Sequence, residues 1–403
     1  MKKLMKQIFR WLFGRRPSTE RVRTKVYNDA TMLEGLQGFL FSRHRFRFNV
    51  LTEQTEWESL ATNGWVTVDK RLLNSFTLEA KAAGIDCWDR DIARLLLSNQ
   101  VPEFHPMKAY MESLPRWDMR DRIRPLARRI ARGRLWEDGF HRWLLGVASQ
   151  WMGQGRQCAN AVAPILISAE QGVGKSTFCR LLVPESLRAY YIDRFDVNCQ
   201  SHFEQRLATT ALINLDEFDR YSPATMASLK NVMQMQSGNF RKMRSERFVS
   251  LHRTASFIGT SNQRELLTDL TGSRRFLCQE VEGKIDCSPI EHKQLFAQLK
   301  YELRYGERSW LSKEEEAEWR KHNAVYYRTL PEQEAFLQCF RLPKDGEVGQ
   351  EMSSLQVLDV LQRRFPKVMR GIQPKQLSRA MLALGVQRRH TKMGNVFWVV
   401  KLG

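Results

Sequence analysis

The 403-residue chain lacks the cysteine and histidine patterns of metal sites and disulfide frameworks. Its seven cysteines are scattered, odd in number, and form no Cys-x-x-Cys pair. Its eight histidines include neither a His-x-x-x-His nor a His-Glu-x-x-His pattern. From these absences we expect neither a zinc enzyme nor a secreted domain held together by disulfides. The cysteines instead fit reduced thiols in a cytoplasmic protein.

Long apolar runs are also missing. No stretch approaches the roughly 18 consecutive apolar residues that a membrane span requires. The first residues are basic and amphipathic, without the continuous apolar core and cleavage site of a signal peptide. We interpret residues 1–24 as a basic arm that touches nucleic acid or is disordered. A helix of residues 1–16 lying on a membrane surface, without stable insertion, is the alternative.

Acidic residues are few relative to basic ones. The chain has 64 Lys and Arg against 44 Asp and Glu, which gives a formal net charge of +20. Such an excess favours a polyanionic partner, and nucleic acid above all. A hydrophobic content of 42% is typical of a folded globular protein. The length is sufficient for two or three domains.

A phosphate-binding loop is the clearest motif present. An apolar strand at 163–168 runs into a glycine-containing loop and then a helical stretch. Lys175 is expected to reach the β- and γ-phosphates, and the Ser176 hydroxyl to bind Mg²⁺, so ATP and Mg²⁺ are the expected cofactors. One departure is Ala169, where the full pattern has glycine. The predicted nucleotide-binding residues are Gln171, Gly172, Val173, Gly174, Lys175, Ser176 and Thr177.

Two carboxylates follow the next buried strand. Residues 211–216 read as an apolar strand that ends in Asp216 and Glu217. Asp216 is predicted to hold Mg²⁺ together with Ser176. Glu217 is predicted to orient and deprotonate the attacking water. A solvated Asp-Glu pair at a strand end is common by itself, but it is improbable in register with a preceding phosphate loop.

An amide and two guanidiniums complete the predicted catalytic set. The strand at 255–260 leads to Asn262, whose side chain could hydrogen-bond both the γ-phosphate and the lytic water. Arg274 and Arg275 come next, and one of them, Arg274 first, is predicted to stabilise transition-state charge at a neighbouring subunit's site. A structural ion pair is the equally weighted alternative for either arginine.

A basic segment at 241–253 lies between the acidic strand and the Asn262 strand. It is predicted to be a hairpin that neutralises DNA phosphates, with Phe248 available for stacking. A merely solvated basic hairpin is the alternative. The predicted DNA contacts in this segment are Arg241, Lys242, Arg244, Arg247 and Arg253.

The order of these elements predicts the fold class. Strands predicted at 163–168, 189–193, 211–216, 255–260 and 275–281 alternate with helices, which predicts an α/β P-loop core of three layers around a parallel central sheet. Two helices and a hairpin at the C-terminal end have the outline of a winged helix, with Pro374–Leu384 as candidate recognition helix. Further DNA contacts are expected there, at Lys375, Arg379, Arg388 and Arg389. The predicted division is a basic arm (1–24), an α+β module (25–135), the ATPase core (136–305), a helical connector (306–345) and the winged-helix-like module (346–403).

These motifs, in this order and spacing, resemble the superfamily-3 helicases and more closely the virulence-associated protein E family of phages and mobile elements. Upstream, His105-Pro, the Leu114-Pro-Arg-Trp-Asp run and Asp121-Arg122 are also similar to that family. The resemblance spans roughly 30–330. It implies an AAA+ core, a ring of usually six subunits, arginine fingers acting in trans, and DNA held by hairpins in a channel. Many relatives carry a primase module ahead of the motor and this sequence shows none, so the expectation is either a separate primase or initiator as partner or a role other than replication.

The sequence thus predicts an ATP-dependent DNA helicase or translocase that acts on single-stranded or forked DNA. The alternative is a nucleotide-switched DNA-binding or phage-defence ATPase without unwinding activity. A third option, an ATPase attached to a membrane through residues 1–16, requires lipid binding by that arm. An intact Glu217 favours turnover over a mere switch.

Overall fold

The computed structural model describes residues 19–59, 64–154, 159–197, 200–241, 248–267, 273–343, 347, 349–391 and 394–402. The helices found there are α1 (Thr19–Arg43), α2 (Lys70–Ala82), α3 (Asp89–Leu96), α4 (Pro106–Glu112), α5 (Ile123–Ala127), α6 (Arg134–Trp151), α7 (Lys175–Leu181), α8 (Gln200–Thr209), α9 (Pro223–Val232), α10 (His292–Arg304), α11 (Lys313–His322), α12 (Pro331–Cys339), α13 (Ser354–Arg364) and α14 (Pro374–Ala383).

The strands found in the same residues are β1 (Phe46–Asn49), β2 (Gln54–Ser59), β3 (Gly64–Thr67), β4 (Glu103–Phe104), β5 (Ala163–Ile167), β6 (Tyr191–Ile192), β7 (Leu212–Leu215), β8 (Ser237–Arg241), β9 (Phe248–His252), β10 (Ser256–Ser261), β11 (Phe276–Glu280), β12 (Phe340–Arg341), β13 (Gln350–Ser353), β14 (Arg388–Thr391) and β15 (Gly394–Lys401). The chain divides into two compact units, one up to Ala109 and one from Tyr110 onwards. The five-part division stays a prediction.

The first unit is a four-stranded sheet packed against helices. Its strand order is β3-β2-β1-β4, with β1 and β4 parallel and the other pairs antiparallel. Leu36 and Leu40 of α1 lie in one buried core with Phe46 of β1 and Phe76 of α2. Helix α2 begins where the Asp69 side chain accepts a hydrogen bond from Leu72 N at 2.8 Å, which caps an otherwise unpaired N–H group.

The second unit contains a five-stranded parallel sheet in the order β11-β5-β10-β7-β6. Every residue of β5, β7 and β10 is buried, because apolar groups cover both faces of a central parallel sheet. The strands predicted at 163–168, 211–216, 255–260 and 275–281 agree with β5, β7, β10 and β11 within about two residues. The strand predicted at 189–193 is shortened to β6, because a 3-10 turn occupies Glu185–Tyr190.

The position of β10 decides the geometry of the candidate site. This strand lies between β5 and β7 in the sheet, although it follows both of them in the chain. The carboxyl ends of three adjacent strands therefore meet at one edge of the sheet. In open α/β sheets, this edge is where ligands bind.

A separate two-stranded antiparallel hairpin, β8 and β9, packs beside the sheet. Ser237 lies opposite His252, and Arg241 lies opposite Phe248. At Gly238, an added Cβ would stand 2.3 Å from the backbone oxygen of Glu204, so the hairpin contacts α8 backbone to backbone. Residues 242–247, which connect the two strands, lie outside the described residues.

The C-terminal part of the second unit has a core of its own. Phe336 of α12, Leu361 of α13, Leu377 of α14 and Phe397 of β15 lie in one buried cluster. Strand β15 pairs with β12, β13 and β14 in antiparallel fashion. The two helices and the hairpin expected here agree with α13, α14, β14 and β15 to within about two residues at most ends.

Candidate functional site

The loop between β5 and α7 contains two glycines in backbone conformations that other residues rarely adopt. Gly172 has φ +77° and Gly174 has φ +99°, conformations that glycine adopts without strain. An added Cβ at Gly174 would lie 3.1 Å from the Cys287 sulfur, a tight contact that would require the thiol to shift. Ile285 N donates to Val173 O at 2.9 Å, which holds the loop from the other side.

Lys175 connects this loop to the end of β10. The side chain is buried, with 8% of its surface exposed. Its Nζ donates to Asn262 Oδ1 at 3.0 Å and to Ser168 O at 2.9 Å. Burial lowers the pKa of Lys175, while the negative charges of Asp216 and Asp219 act in the opposite direction. The predicted phosphate ligand and the predicted sensor amide are thus in direct contact.

A hydroxyl and a carboxylate meet beside Lys175. Ser176 Oγ donates to Asp216 Oδ1 at 3.2 Å, and the Thr260 hydroxyl donates to the same oxygen. In the described ranges, no cluster of three or more His, Cys, Asp or Glu side chains could hold a metal ion alone. The pair fits Mg²⁺, which binds through one or two protein oxygens together with waters and substrate phosphates.

Glu217 follows directly, in a strained backbone conformation. It is one of three described non-glycine residues with positive φ, at +51°. Such conformations cost about 1–3 kcal/mol and cluster at functional sites. Its carboxylate forms an ion pair with Arg220 at 2.7 Å, and both side chains are exposed.

These groups surround a cleft of about 290 Å³. All seven predicted nucleotide-binding residues line it, together with Asp216, Glu217 and Asn262. Thr260 also lines the cleft. The sequence gives no signal for Thr260, because a hydroxyl within a strand is more often structural.

Asp219 is a second group that the sequence motif does not mark. It lies in the 3-10 turn Phe218–Arg220, just after the acidic pair. Its Oδ1 accepts from Ser261 Oγ at 2.9 Å and from Asn262 N at 3.3 Å. Asp219 therefore fixes the end of β10, and with it Asn262, against the turn that carries Glu217.

The two candidate finger arginines are not among the residues that line the cleft of the single chain. Arg274 lies in the 3-10 turn Ser273–Arg275 and forms an ion pair with Glu316 of α11 at 3.0 Å. It keeps 43% of its side chain exposed. Arg275 is half-buried and has interactions of its own. Neither arginine is therefore among the groups that line the chain's own cleft.

One predicted DNA contact is wrong. Arg253 is 1% exposed, and its guanidinium donates to four backbone oxygens: Ala255 O at 2.6 Å, Met233 O at 2.7 Å, Asn160 O at 2.9 Å and Met235 O at 3.3 Å. Burial lowers its pKa to about 9. The basic run continues past the hairpin into the core, and its last arginine ties backbone segments together there.

Of the other predicted DNA contacts, the structure describes some residues and not others. Lys242, Arg244 and Arg247 lie outside the described residues, and Arg241 is described only as the last residue of β8. The remaining four are exposed on the C-terminal hairpin and helix: Lys375 and Arg379 on α14, and Arg388 and Arg389 on β14. Arg389 also forms an ion pair with Glu351 at 3.2 Å. Among the helices described, none is long and apolar enough to cross a membrane.

Two family models match the chain. One, described as a virulence-associated protein E-like domain, matches residues 111–328, and the other, a domain of unknown function from B. theta (DUF3874), matches residues 329–399. No curated protein matches the sequence. Among solved structures, the A form of the apo C-terminal region of NrS-1 is similar at 15% identity, with 91% of this chain and 98% of that chain covered and a TM-score of 0.45. Another apo structure of that region has 14% identity, the same coverage and a TM-score of 0.45.

Proposed function

Because the chain belongs to the virulence-associated protein E-like domain family, which its residues 111–328 match, we propose that it is an ATP- and Mg²⁺-dependent enzyme that moves along DNA. One observation carries this proposal: Lys175, Ser176, Asp216 and Asn262 converge at the ends of three adjacent strands. The proposed fold is an AAA+ P-loop core, and the proposed source is a phage or mobile element.

Each residue around the cleft has a separate proposed role in hydrolysis. Lys175 and the loop backbone would bind phosphate oxygens, and Ser176 with Asp216 would hold Mg²⁺, which supplies charge neutralisation at the β- and γ-phosphates. Glu217 would accept a proton from the attacking water. Lys175 Nζ donates to Asn262 Oδ1 at 3.0 Å, and a bound γ-phosphate would replace Asn262 as the partner of Lys175. The end of β10 would therefore respond to the bound nucleotide.

Transition-state charge would be completed by a second copy. Arg274, with Arg275 as the alternative, is separated from the chain's own cleft and remains exposed, which suits a contribution in trans. The proposed assembly is a homo-oligomer, a ring of six by the family resemblance. Basic residues of the hairpin and of the C-terminal helix and strand would contact single-stranded or forked DNA. The further proposed partner is a separate primase or initiator.

The direct test compares ATP hydrolysis with and without DNA. Lys175→Ala is expected to abolish DNA-stimulated hydrolysis, because no other described cation contacts Asn262 in the cleft. Lys313→Ala, at an exposed lysine on α11, is the matched control and should retain wild-type rates. A wild-type oligomer that hydrolyses ATP equally fast with and without DNA would contradict the motor function.

One observation favours a second candidate, a nucleotide-switched DNA-binding or defence ATPase without unwinding. The Glu217 carboxylate is ion-paired with Arg220 at 2.7 Å, which reduces its availability as a base. Displacement of a strand from a forked duplex separates the two functions. ATP-dependent assembly on DNA without any strand displacement would favour the switch.

A further inference from the structure

Three aromatic rings form a row on the second unit, one of them from a segment of the chain far from the other two. Trp117 precedes α5, Tyr301 lies on α10, and Tyr305 follows that helix. The ring centroids of Trp117 and Tyr301 are 5.1 Å apart, and those of Tyr301 and Tyr305 are 4.3 Å apart. Tyr305 is 74% exposed. We call these three side chains the aromatic surface.

The loop that carries Trp117 is held rigidly by side chains. Gln294 of α10 accepts from Asp118 N at 3.1 Å and donates to Arg116 O at 3.2 Å. Arg122 donates to both oxygens of Asp118, at 2.6 and 2.7 Å, and to Glu291 at 2.7 Å. The Arg122 guanidinium lowers the pKa of Asp118 to about 2. So many bonds in an exposed loop fix the position of Trp117 in advance of any contact.

The indole itself is oriented by one further bond. Trp117 Nε1 donates to Arg120 O at 2.9 Å, which turns the polar edge of the ring inward against its own loop. The neighbouring Met119 is 64% exposed and has φ +68°, an unusual conformation for a non-glycine residue. The loop is therefore strained and exposed at the same point, a combination that stability alone does not favour.

Positive charge surrounds the rings. Arg116, Arg120 and Arg304 are exposed, and no ion pair in the described part of the chain involves their guanidiniums. Burial and the neighbouring Tyr305 raise the pKa of the Tyr301 hydroxyl, and the positive charge of Arg116 acts in the opposite direction. The carboxylates of the same region, Asp118 and Glu291, are already paired with Arg122. The field at the aromatic surface is thus positive.

We propose that the aromatic surface binds single-stranded DNA, with bases stacked on Tyr305 and Trp117 and phosphates contacted by Arg116 and Arg304. The exposed Tyr305 ring stands in a row with the half-buried rings of Tyr301 and Trp117, and guanidiniums lie beside them. An unpaired strand fits such a surface, since its bases offer free faces and its backbone offers negative charge. A duplex hides those faces. The identity of the polymer rests on the proposed function, whereas the site is separate from the cleft, the hairpin and the C-terminal helix.

The test measures binding of labelled oligo(dT) by fluorescence anisotropy, with no nucleotide present. Tyr305→Ala is expected to weaken binding about tenfold, the scale of one lost base stack. Tyr305→Phe, which keeps the ring, should bind as the wild type does. Trp310→Ala removes another exposed ring, 52% exposed, and is the matched control that should change nothing. Binding of a duplex of equal length should be unaffected by Tyr305→Ala.

Photo-crosslinking locates the contact when other sites also hold the strand. An oligonucleotide with 5-iodouracil bases should crosslink to peptides containing Trp117 or Tyr305, because this base reacts with rings on which it stacks. Unchanged oligo(dT) binding together with crosslinks confined to other peptides would overturn the proposal. So would an altered oligomeric state of Tyr305→Ala with normal oligo(dT) binding, which would assign the surface to contacts between copies. If the wild-type protein did not hydrolyse ATP, the proposed function would be contradicted, but these DNA-binding results would still stand.

Discussion

Asp219 illustrates how a side chain outside every motif controls residues within one. Its carboxylate joins the turn after β7 to Ser261 and Asn262 at the end of β10. The amide that contacts Lys175 therefore depends on Asp219, whose negative charge also acts on Lys175. A residue of this kind acts by positioning.

Asp219→Ala is expected to lower kcat for ATP about tenfold or more with little change in protein stability, because displacement of reacting groups by about 1 Å can cost a hundredfold. Steady-state ATPase assays measure this. Glu265→Ala removes an exposed carboxylate just beyond the same strand and is the control. Equal losses in the two variants would show that Asp219 has no particular role in placing Asn262.

Arg253 is a buried cation whose partners are backbone oxygens. Replacement by methionine leaves the carbonyls of Ala255, Met233 and Asn160 without their donor. Each unsatisfied buried group costs about 1–3 kcal/mol, so Arg253→Met should lower the free energy of unfolding by about 3 kcal/mol or more.

Denaturant titration checks this expectation. Arg264→Met is the control, because Arg264 is 62% exposed in its ion pair with Glu280 and should change stability by less than about 1 kcal/mol. Normal stability of Arg253→Met combined with weaker DNA binding would restore the DNA-contact role that the sequence suggested.

At the scale of elements, the hairpin and α8 approach each other closely at Gly238. Gly238 of β8 lies against the backbone of α8, and a methyl group there would stand 2.3 Å from Glu204 O. Backbone atoms cannot rotate away as a side chain does. The hairpin and α8 therefore keep their spacing only while residue 238 has no side chain.

Gly238→Ala is expected to destabilise the protein by about 1–3 kcal/mol, the usual cost of overpacking. Thermal unfolding followed by circular dichroism measures it. Gly35→Ala is the contrasting variant, because this helical glycine has no atom within 4 Å of an added Cβ and should gain about 0.5–1 kcal/mol. A neutral Gly238→Ala would show that α8 and the hairpin move apart at no cost.

At the scale of the whole molecule, the exposed Arg274 and the cleft belong to different sites of one chain. Glu316 holds Arg274 at 3.0 Å, in a part of the surface that is not in the lining of the cleft. If Arg274 acts in trans, the functional unit is a pair of copies, each of which contributes one half of a site.

Mixing experiments test this arrangement. Lys175→Ala and Arg274→Ala are each expected to be inactive, whereas their mixture should recover part of the hydrolysis rate, because some interfaces then combine an intact cleft with an intact arginine. Glu316→Gln is the control for a structural role and should keep most activity. No recovery in the mixture, together with an equal loss in Glu316→Gln, would leave Arg274 a structural ion pair.

The sequence by itself determined the strands, the loop and the acidic pair. Buried parallel strands are short apolar runs, and polar residues follow them at the edge of the sheet, so both features can be recognised in the local sequence. The tertiary structure decided what depends on distant segments. Strand order placed Asn262 next to Lys175, packing buried the Arg253 side chain, and α10 brought Tyr301 and Tyr305 to Trp117. Composition shows how many charged and aromatic side chains exist, but only the path of the chain sets which of them share a surface.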